Sequence, residues 1–431
     1  MMPTIAATDY QINMAGDERS SLESYYTRIR QRSEDLCRPL EIEDYGIQTM
    51  TSTSPPKWHL AHTSWFFETL LLKPLSTGYR EFHPLFAHLF NSYYETLGSF
   101  HPRAERGHLS RPTVSDVYRY REYVDNHMAL LLSDDNNEQR DEIIRRTVLG
   151  LNHEQQHQEL LLTDIKHNFA NNPLQPIYRV TQSLPPAQAE PVCWIQYQGG
   201  IREIGHAGNH FAYDNEMPRH KVYINDFSLA SRPVTNGEYT EFIDAGAYLE
   251  PELWLSDGWK IVTEEHWQAP LYWQLIDGDW WYMTLGGLQR IDLHAPVCHV
   301  SHYEAAAFAR WRGKRLPSEV EWEMAAADLP IRGNFYESGR LQPVAGDGEC
   351  PLLQMYGDVW EWTQSAYTAY PGYRQVQGTL GEYNGKFMSG QMVLRGGSCV
   401  TATDHIRASY RNFFPPLERW QFSGFRLAED G

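Results

Sequence analysis

At 431 residues, with a net charge of −18, 13% aromatic residues and 14 tryptophans, the chain is long enough for more than one core and too aromatic to be disordered. Its acidic balance argues against nucleic acid or an anionic membrane as partner, and no apolar run approaches the ~20 residues of a membrane span. Five scattered cysteines, never in C-x-x-C, argue against a disulfide framework or a cysteine zinc site. Residues Met1 to Asp9 lack a basic region followed by an apolar stretch, and with the cysteines this predicts a cytoplasmic protein.

Only six of the 31 glycines precede residue 173. That part holds four long helix-like stretches: Glu18–Leu36, Pro56–Leu72, Ser115–Leu132 and Glu138–Phe169. Four such stretches predict a helical bundle, a fold that builds metal sites from facing helices. The Pro-rich stretch from Asn171 to Pro191 reads as a linker, giving domains 1–172 and 192–431 joined by 173–191. Beyond it, short strand-like runs alternate with Gly, Asn and Asp turns, and 12 of the 14 tryptophans lie there. This predicts an irregular α+β domain packed by aromatic residues, with helices clearest over Tyr303–Arg312 and Ser318–Ala327.

The last helical stretch carries His153-Glu154-Gln155-Gln156-His157. Two histidines four apart on a helix project from one face and reach one metal ion. The run also fits H-E-x-x-H, the zinc-protease signature in which Glu is general base. The extended protease motif needs Gly and His where Leu160 and Thr163 stand, and the chain turns Pro-rich too soon for a glutamate on a second helix. A third ligand is expected from another bundle helix, where Trp58-His59-Leu60-Ala61-His62 offers two candidates that spacing does not separate. Three neutral imidazoles suit zinc, iron or copper, and an open-sided set leaves room for substrates.

Trp58-His59-Leu60-Ala61-His62-Thr63, Asn91-Ser92-Tyr93-Tyr94-Glu95 and the His153 to Glu159 run together resemble the DinB-like half of the ergothioneine-pathway sulfoxide synthases. The second half is similar to formylglycine-generating-enzyme-like domains, related to C-type lectins. The motifs are Pro233 to Tyr239, Arg315 to Glu323, Gly357 to Thr363, Arg395-Gly396-Gly397-Ser398 and Gly424 to Leu427. The implied fold is a two-domain α plus (α+β) protein: an N-terminal DinB-like four-helix bundle and a C-terminal sulfatase-modifying-factor-like domain. Thr401 and Ile406 occupy offsets where true formylglycine-generating enzymes carry copper-binding cysteines, so the fold is expected without that chemistry and its motifs chiefly as structural glue.

The resemblance implies an oxidoreductase with non-heme Fe(II) on His62 (rather than His59), His153 and His157. Its substrates are N-α-trimethylhistidine (hercynine), a cysteine-type thiol and O₂, and its product is a hercynylcysteine sulfoxide. Tyr93 and Tyr94 are candidate proton donors on the O₂ side, with Tyr370, Tyr373 or Tyr383 as a second-domain equivalent. Gln156 matches a family position that contacts hercynine, and Asn412 and Phe413 match an Asn-Trp pair that binds its carboxylate and trimethylammonium group. Members using γ-glutamylcysteine show Arg-His-Pro-Arg where this chain has Phe100-His101-Pro102-Arg103, and Asp and Arg where it has Phe414 and Glu418. Carbon in place of charge favours free cysteine as donor, with Arg103 as carboxylate partner and Phe414 filling the vacated space. The alternatives are γ-glutamylcysteine as donor, or a DinB-type zinc thiol transferase. The oligomeric state stays open, a homo-oligomer included.

Overall fold

The computed structural model describes residues 22–180, 188–346, 351–375 and 383–431. Two compact units emerge. Of the described residues, the first comprises 22–173, 208–211 and Tyr383; the second comprises 174–180, 188–207, 212–346, 351–375 and 384–431. Among the described residues no helix is long and apolar enough to cross a membrane.

The first unit is helical: α1 (Leu22–Cys37), α2 (Pro56–Phe67), α3 (Lys73–Leu75), α4 (Phe86–Phe90), α5 (Val114–Ser133) and α6 (Arg140–Ala170). The expected start of the first stretch, Glu18 to Ser21, lies outside the described residues. Pro55 and Pro56 open α2 where a missing N–H costs nothing. Thr113 caps α5 through a capping box with Asp116. Every residue of α2 is buried, so it runs through the middle of the unit, packed on α4, α5 and α6, with α1 on α6.

The expected helix 56–72 is α-helical only to Phe67. A π-helical turn, Glu68–Leu72, joins it to α3. In that turn the buried Glu68 accepts hydrogen bonds from the Tyr79 hydroxyl (2.6 Å), the Phe82 amide (3.0 Å) and the Tyr120 hydroxyl (2.6 Å).

Among the described residues the second unit holds twelve strands in four small sheets. They are β1 (Trp194–Tyr197), β2 (Gly200–Ile204), β3 (His220–Ile224), β4 (Phe227–Ala230), β5 (Trp273–Ile276), β6 (Asp279–Thr284), β7 (Gly287–Arg290), β8 (Trp360–Ala366), β9 (Met392–Arg395), β10 (Asn412–Phe414), β11 (Ser423–Gly424) and β12 (Ala428–Asp430). Sheet orders are β1-β4-β12, β10-β9-β8-β11, β2-β3 and β5-β6-β7. The Pro-rich stretch enters this unit early: the Tyr178 and Arg179 amides bond to the Leu285 carbonyl (3.0 and 3.1 Å), and Tyr178 is buried. Residues 181–187 of that stretch lie outside the described residues.

Among its described residues the second unit has four α-helices, the two expected to be clearest and two more: α7 (Asn236–Asp244), α8 (Ser256–Glu264), α9 (His302–Trp311) and α10 (Glu319–Ala326). The Thr235–Glu238 capping box starts α7 and outweighs the glycine in its first turn. The sequence motifs interlock as buried ion pairs. Arg426 holds Glu361 (2.6 Å), which also accepts from Trp322 Nε1 (2.9 Å). Arg395 meets Glu319 and Glu323, and Arg411 also meets Glu319. Gly396 and Gly397 both take positive φ (99° and 83°), and a Cβ on Gly396 would sit 2.7 Å from the Met355 carbonyl oxygen.

Candidate metal centre

Helix α2 brings His62, and helix α6 brings His153 and His157, to one point. One ring nitrogen from each lies within 4.8 Å of the others. The approach depends on Gly150, one turn before His153. A Cβ there would stand 2.6 Å from Phe67 Cε1 and 3.0 Å from Phe66 Cε1. Phe66 in turn stacks on the His153 ring at 4.6 Å. His62 stacks on Trp58 (4.5 Å) and Trp65 (5.3 Å), its neighbours one turn away on α2. Packing on aromatic faces thus sets these ring planes.

Hydrogen bonds set the tautomer of His62. Its Nδ1 donates to the Phe90 carbonyl at 2.5 Å, which leaves Nε2 with its lone pair facing His153 Nε2 at 3.2 Å. His59, the other candidate on α2, turns elsewhere: its Nε2 lies 2.9 Å from Asp164 Oδ2 and its Nδ1 2.9 Å from His157 Nδ1. Burial holds the three converging imidazoles neutral. For His62 and His157 the neighbouring histidines add to that effect, and His153 is pushed down to about 3 by burial first. Neutral imidazoles are the form that binds a metal.

Glu154 points away from this cluster. It accepts from Arg30 (3.0 Å), Arg121 (3.1 Å) and Ser33 Oγ (2.6 Å), fully buried on another face of α6. A carboxylate so held is not the general base of an H-E-x-x-H protease.

The phenol that reaches the cluster is Tyr383. Its hydroxyl donates to Gln156 Oε1, and its ring lies 5.7 Å from the His153 ring. All three residues belong to the first unit. The sequence placed Tyr383 in a set of three without separating it; Tyr370 instead contacts Glu319 and Arg395, and Tyr373 donates to Asp214 (2.8 Å), all in the second unit. Tyr94 is buried against Trp65 (5.5 Å) and stacked on Tyr93 (4.6 Å), so its ring contacts lead to His62 through Trp65.

Arg103 opens a 3₁₀ turn (Arg103–His108) with an exposed side chain. Three residues on, buried Arg106 lies over Trp58 at 3.4 Å. Asn412, Phe413 and Phe414 form β10 in the second unit. Phe413 stacks on Tyr367 at 4.0 Å, Phe414 lies 6.0 Å from Trp420, and the Asn412 side-chain oxygen accepts from the Phe413 amide. Asp164 escaped the sequence reading altogether. It stands seven residues after His157, two helical turns along the same face, and that spacing was the available signal.

Residues 181–348 and 334–431 match the family model of the sulfatase-modifying factor enzyme 1-like domain. The chain is 33% identical over 411 residues to a hercynine oxygenase of Mycolicibacterium thermoresistibile, covering 88% of this chain and 87% of that one. It is 32% identical over 429 residues to the hercynine oxygenase of Mycolicibacterium smegmatis, covering 92% and 96%. It is also 30% identical over 234 residues to ergothioneine biosynthesis protein 1 of Schizosaccharomyces pombe, covering 51% and 28%. With this likeness running along nearly its whole length, the chain belongs to the hercynine oxygenase family, and it is an oxygenase, hence an oxidoreductase.

Proposed function

We propose that the protein is a non-heme Fe(II) sulfoxide synthase of ergothioneine biosynthesis. It joins the sulfur of cysteine to the imidazole carbon of hercynine and oxidises that sulfur. The observation that carries this reading is the convergence of His62, His153 and His157 in a chain of the hercynine oxygenase family. The stoichiometry balances: the imidazole C–H, the thiol S–H and O₂ give a C–S bond, one sulfoxide oxygen and one water. The helical unit is read as a DinB-like bundle of α1, α2, α5 and α6.

The residues fit the ion. Two nitrogen donors each about 2.1 Å from one metal lie roughly 3.0–3.4 Å apart for octahedral to tetrahedral angles, and His62 Nε2 and His153 Nε2 are 3.2 Å apart. When bound, Fe(II) supplies the redox chemistry that couples O₂ to a four-electron oxidation and lowers the pKa of the substrate thiol. The protein's part is placement and proton supply. Trp58, Trp65 and Phe66 hold two of the donor rings. Gln156 orients hercynine, and Tyr383, donating to Gln156, is the proton donor on the O₂ side. Tyr94, behind Trp65, is the second candidate, with Tyr93 after it.

For the thiol, the resemblance aligns Phe100, Phe414 and Glu418 with positions that are Arg, Asp and Arg in members using γ-glutamylcysteine, which favours free cysteine with Arg103 as carboxylate partner. Asn412 and Phe413 are proposed to take the carboxylate and quaternary ammonium of hercynine.

The test is aerobic turnover of Fe(II)-loaded protein with hercynine and either cysteine or γ-glutamylcysteine, read by mass spectrometry. A sulfoxide from cysteine with little from the dipeptide is expected. Preference for the dipeptide overturns the donor assignment. No C–S product from either, with zinc as the bound metal, replaces the reading by a thiol transferase.

A further inference from the structure

The proposed function leaves His59 and Asp164 without a task, although both are almost wholly buried, at 4% and 1% side-chain exposure. With Asp164 as a carboxylate and His59 as a neutral imidazole, their geometry points to one arrangement of protons. A carboxylate only accepts, and Asp164 Oδ2 accepts from the Ser54 amide at 2.7 Å as well as facing His59 Nε2 at 2.9 Å. His59 therefore carries its proton on Nε2. A neutral imidazole has one donor and one acceptor, so His59 Nδ1 is the acceptor. The atom 2.9 Å from it, His157 Nδ1, must then be the donor. That leaves the lone pair of His157 on Nε2. Arg106, buried over Trp58, donates to Ser54 Oγ at 2.8 Å, on the residue whose amide Asp164 accepts.

We propose that Asp164 and His59 form a positioning relay that fixes His157 in the Nδ1–H tautomer and presents its Nε2 to the metal. The relay rests on the reading of His62, His153 and His157 as the metal donors. It gives His157 by two side chains what His62 gains from a single backbone carbonyl, that of Phe90. Without it, His157 divides its population between two tautomers, and the wrong one turns an N–H toward the ion. Partners behind a ligating histidine typically carry 10–100-fold in metal affinity.

The test uses the full chain, stripped of metal and titrated with Fe(II) under anaerobic conditions against a competing chelator. A parallel titration with Co(II) reads its visible absorption bands. His59→Phe keeps a ring but removes the acceptor. His59→Asn puts a side-chain carbonyl near the place of the lost Nδ1. His59→Phe is expected to bind Fe(II) 10–100-fold more weakly, with altered Co(II) bands, and His59→Asn to stay close to wild type in both.

Wild-type affinity in His59→Phe overturns the relay, as does a His59→Asn variant as weak as His59→Phe, since burial alone would explain that pattern. His62→Ala separates the two levels. If it binds Fe(II) as the wild type does, the three-histidine reading falls and the relay with it. Thermal unfolding confirms that each variant folds. Should His59→Phe not fold, Asp164→Ala, which keeps both rings, decides the question: weaker Fe(II) binding supports the relay and wild-type binding overturns it.

Discussion

Replacing Glu154 by Gln tests whether this residue belongs to the framework or to the chemistry. Its side chain and that of Arg121 are both 0% exposed, and Arg30 is 3% exposed. Removing the charge leaves two buried guanidinium groups facing an amide, whose NH₂ meets a donor from Arg30. Breaking a buried pair this way costs about 3–5 kcal/mol. The lower end applies, because Arg30 keeps Asp125 (2.7 Å) and Arg121 keeps Glu34 (3.3 Å) and the Leu60 and Arg30 carbonyls. For a unit of roughly 150–250 residues, ~3 kcal/mol lowers the melting temperature by about 6–12 °C.

The same pair sets a pH dependence. Burial by itself would raise the Glu154 pKa, but Arg30, Arg121 and Ser33 more than offset it and hold the carboxyl below its ordinary 4.5. A folded-state pKa depressed in this way stabilises above the unfolded value and loses that contribution as pH falls through the folded value. Calorimetry of the wild type and Glu154→Gln between pH 7 and pH 4 is the assay. The gap in melting temperature should be full at neutral pH and start to close below pH ~4.5. Equal melting temperatures at pH 7, or a gap that widens in acid, would refute the placement of Glu154 between the two arginines.

Three further outcomes follow from the same contacts. Gly150→Ala gains about 1 kcal/mol of helix propensity but drives a methyl into Phe67 and Phe66, at a typical overpacking cost of about 1–3 kcal/mol. Thermal unfolding should show net destabilisation, and Fe(II) should bind more weakly because Phe66 braces His153; a rise in melting temperature counts against the close approach. Tyr383→Phe keeps the ring against His153 and loses the hydroxyl on Gln156. Sulfoxide formation should drop by about 10²-fold at unchanged iron content, whereas unchanged yield there with a drop in Tyr94→Phe moves the role to Tyr94. Chelator-stripped protein should recover turnover with Fe(II) and none with Zn(II), and activity with zinc would refute a redox role for the ion.

The helical character of the first unit was legible because its signals are local. Four glycine-poor periodic stretches gave the long helices, and α6 spans Arg140–Ala170 against an expected Glu138–Phe169. The two histidines of α6 were legible for the same reason, since four residues on a helix is one face. What stayed hidden is set by long-range contact. The choice between His59 and His62 turns on which ring meets Asp164 and which meets the Phe90 carbonyl, and no spacing within α2 encodes that. Tyr383 lies 227 residues from Gln156, so their contact is a tertiary fact. The π-helical turn at Glu68–Leu72 has no signal in a run of ordinary helix formers. In the second unit the Thr235–Glu238 box announced α7, but the nearby glycine and short length masked it.

The most direct measurement is anomalous diffraction at the iron edge from crystals loaded anaerobically with Fe(II) and hercynine. The account predicts one iron peak about 2.1 Å from a nitrogen of each of His62, His153 and His157, with His157 binding through Nε2 while its Nδ1 faces His59, and hercynine beside the ion. An iron peak on His59 in place of His62, or binding of His157 through Nδ1, would contradict the assignment of the site. A crystal with no iron at the three histidines would contradict the account as a whole.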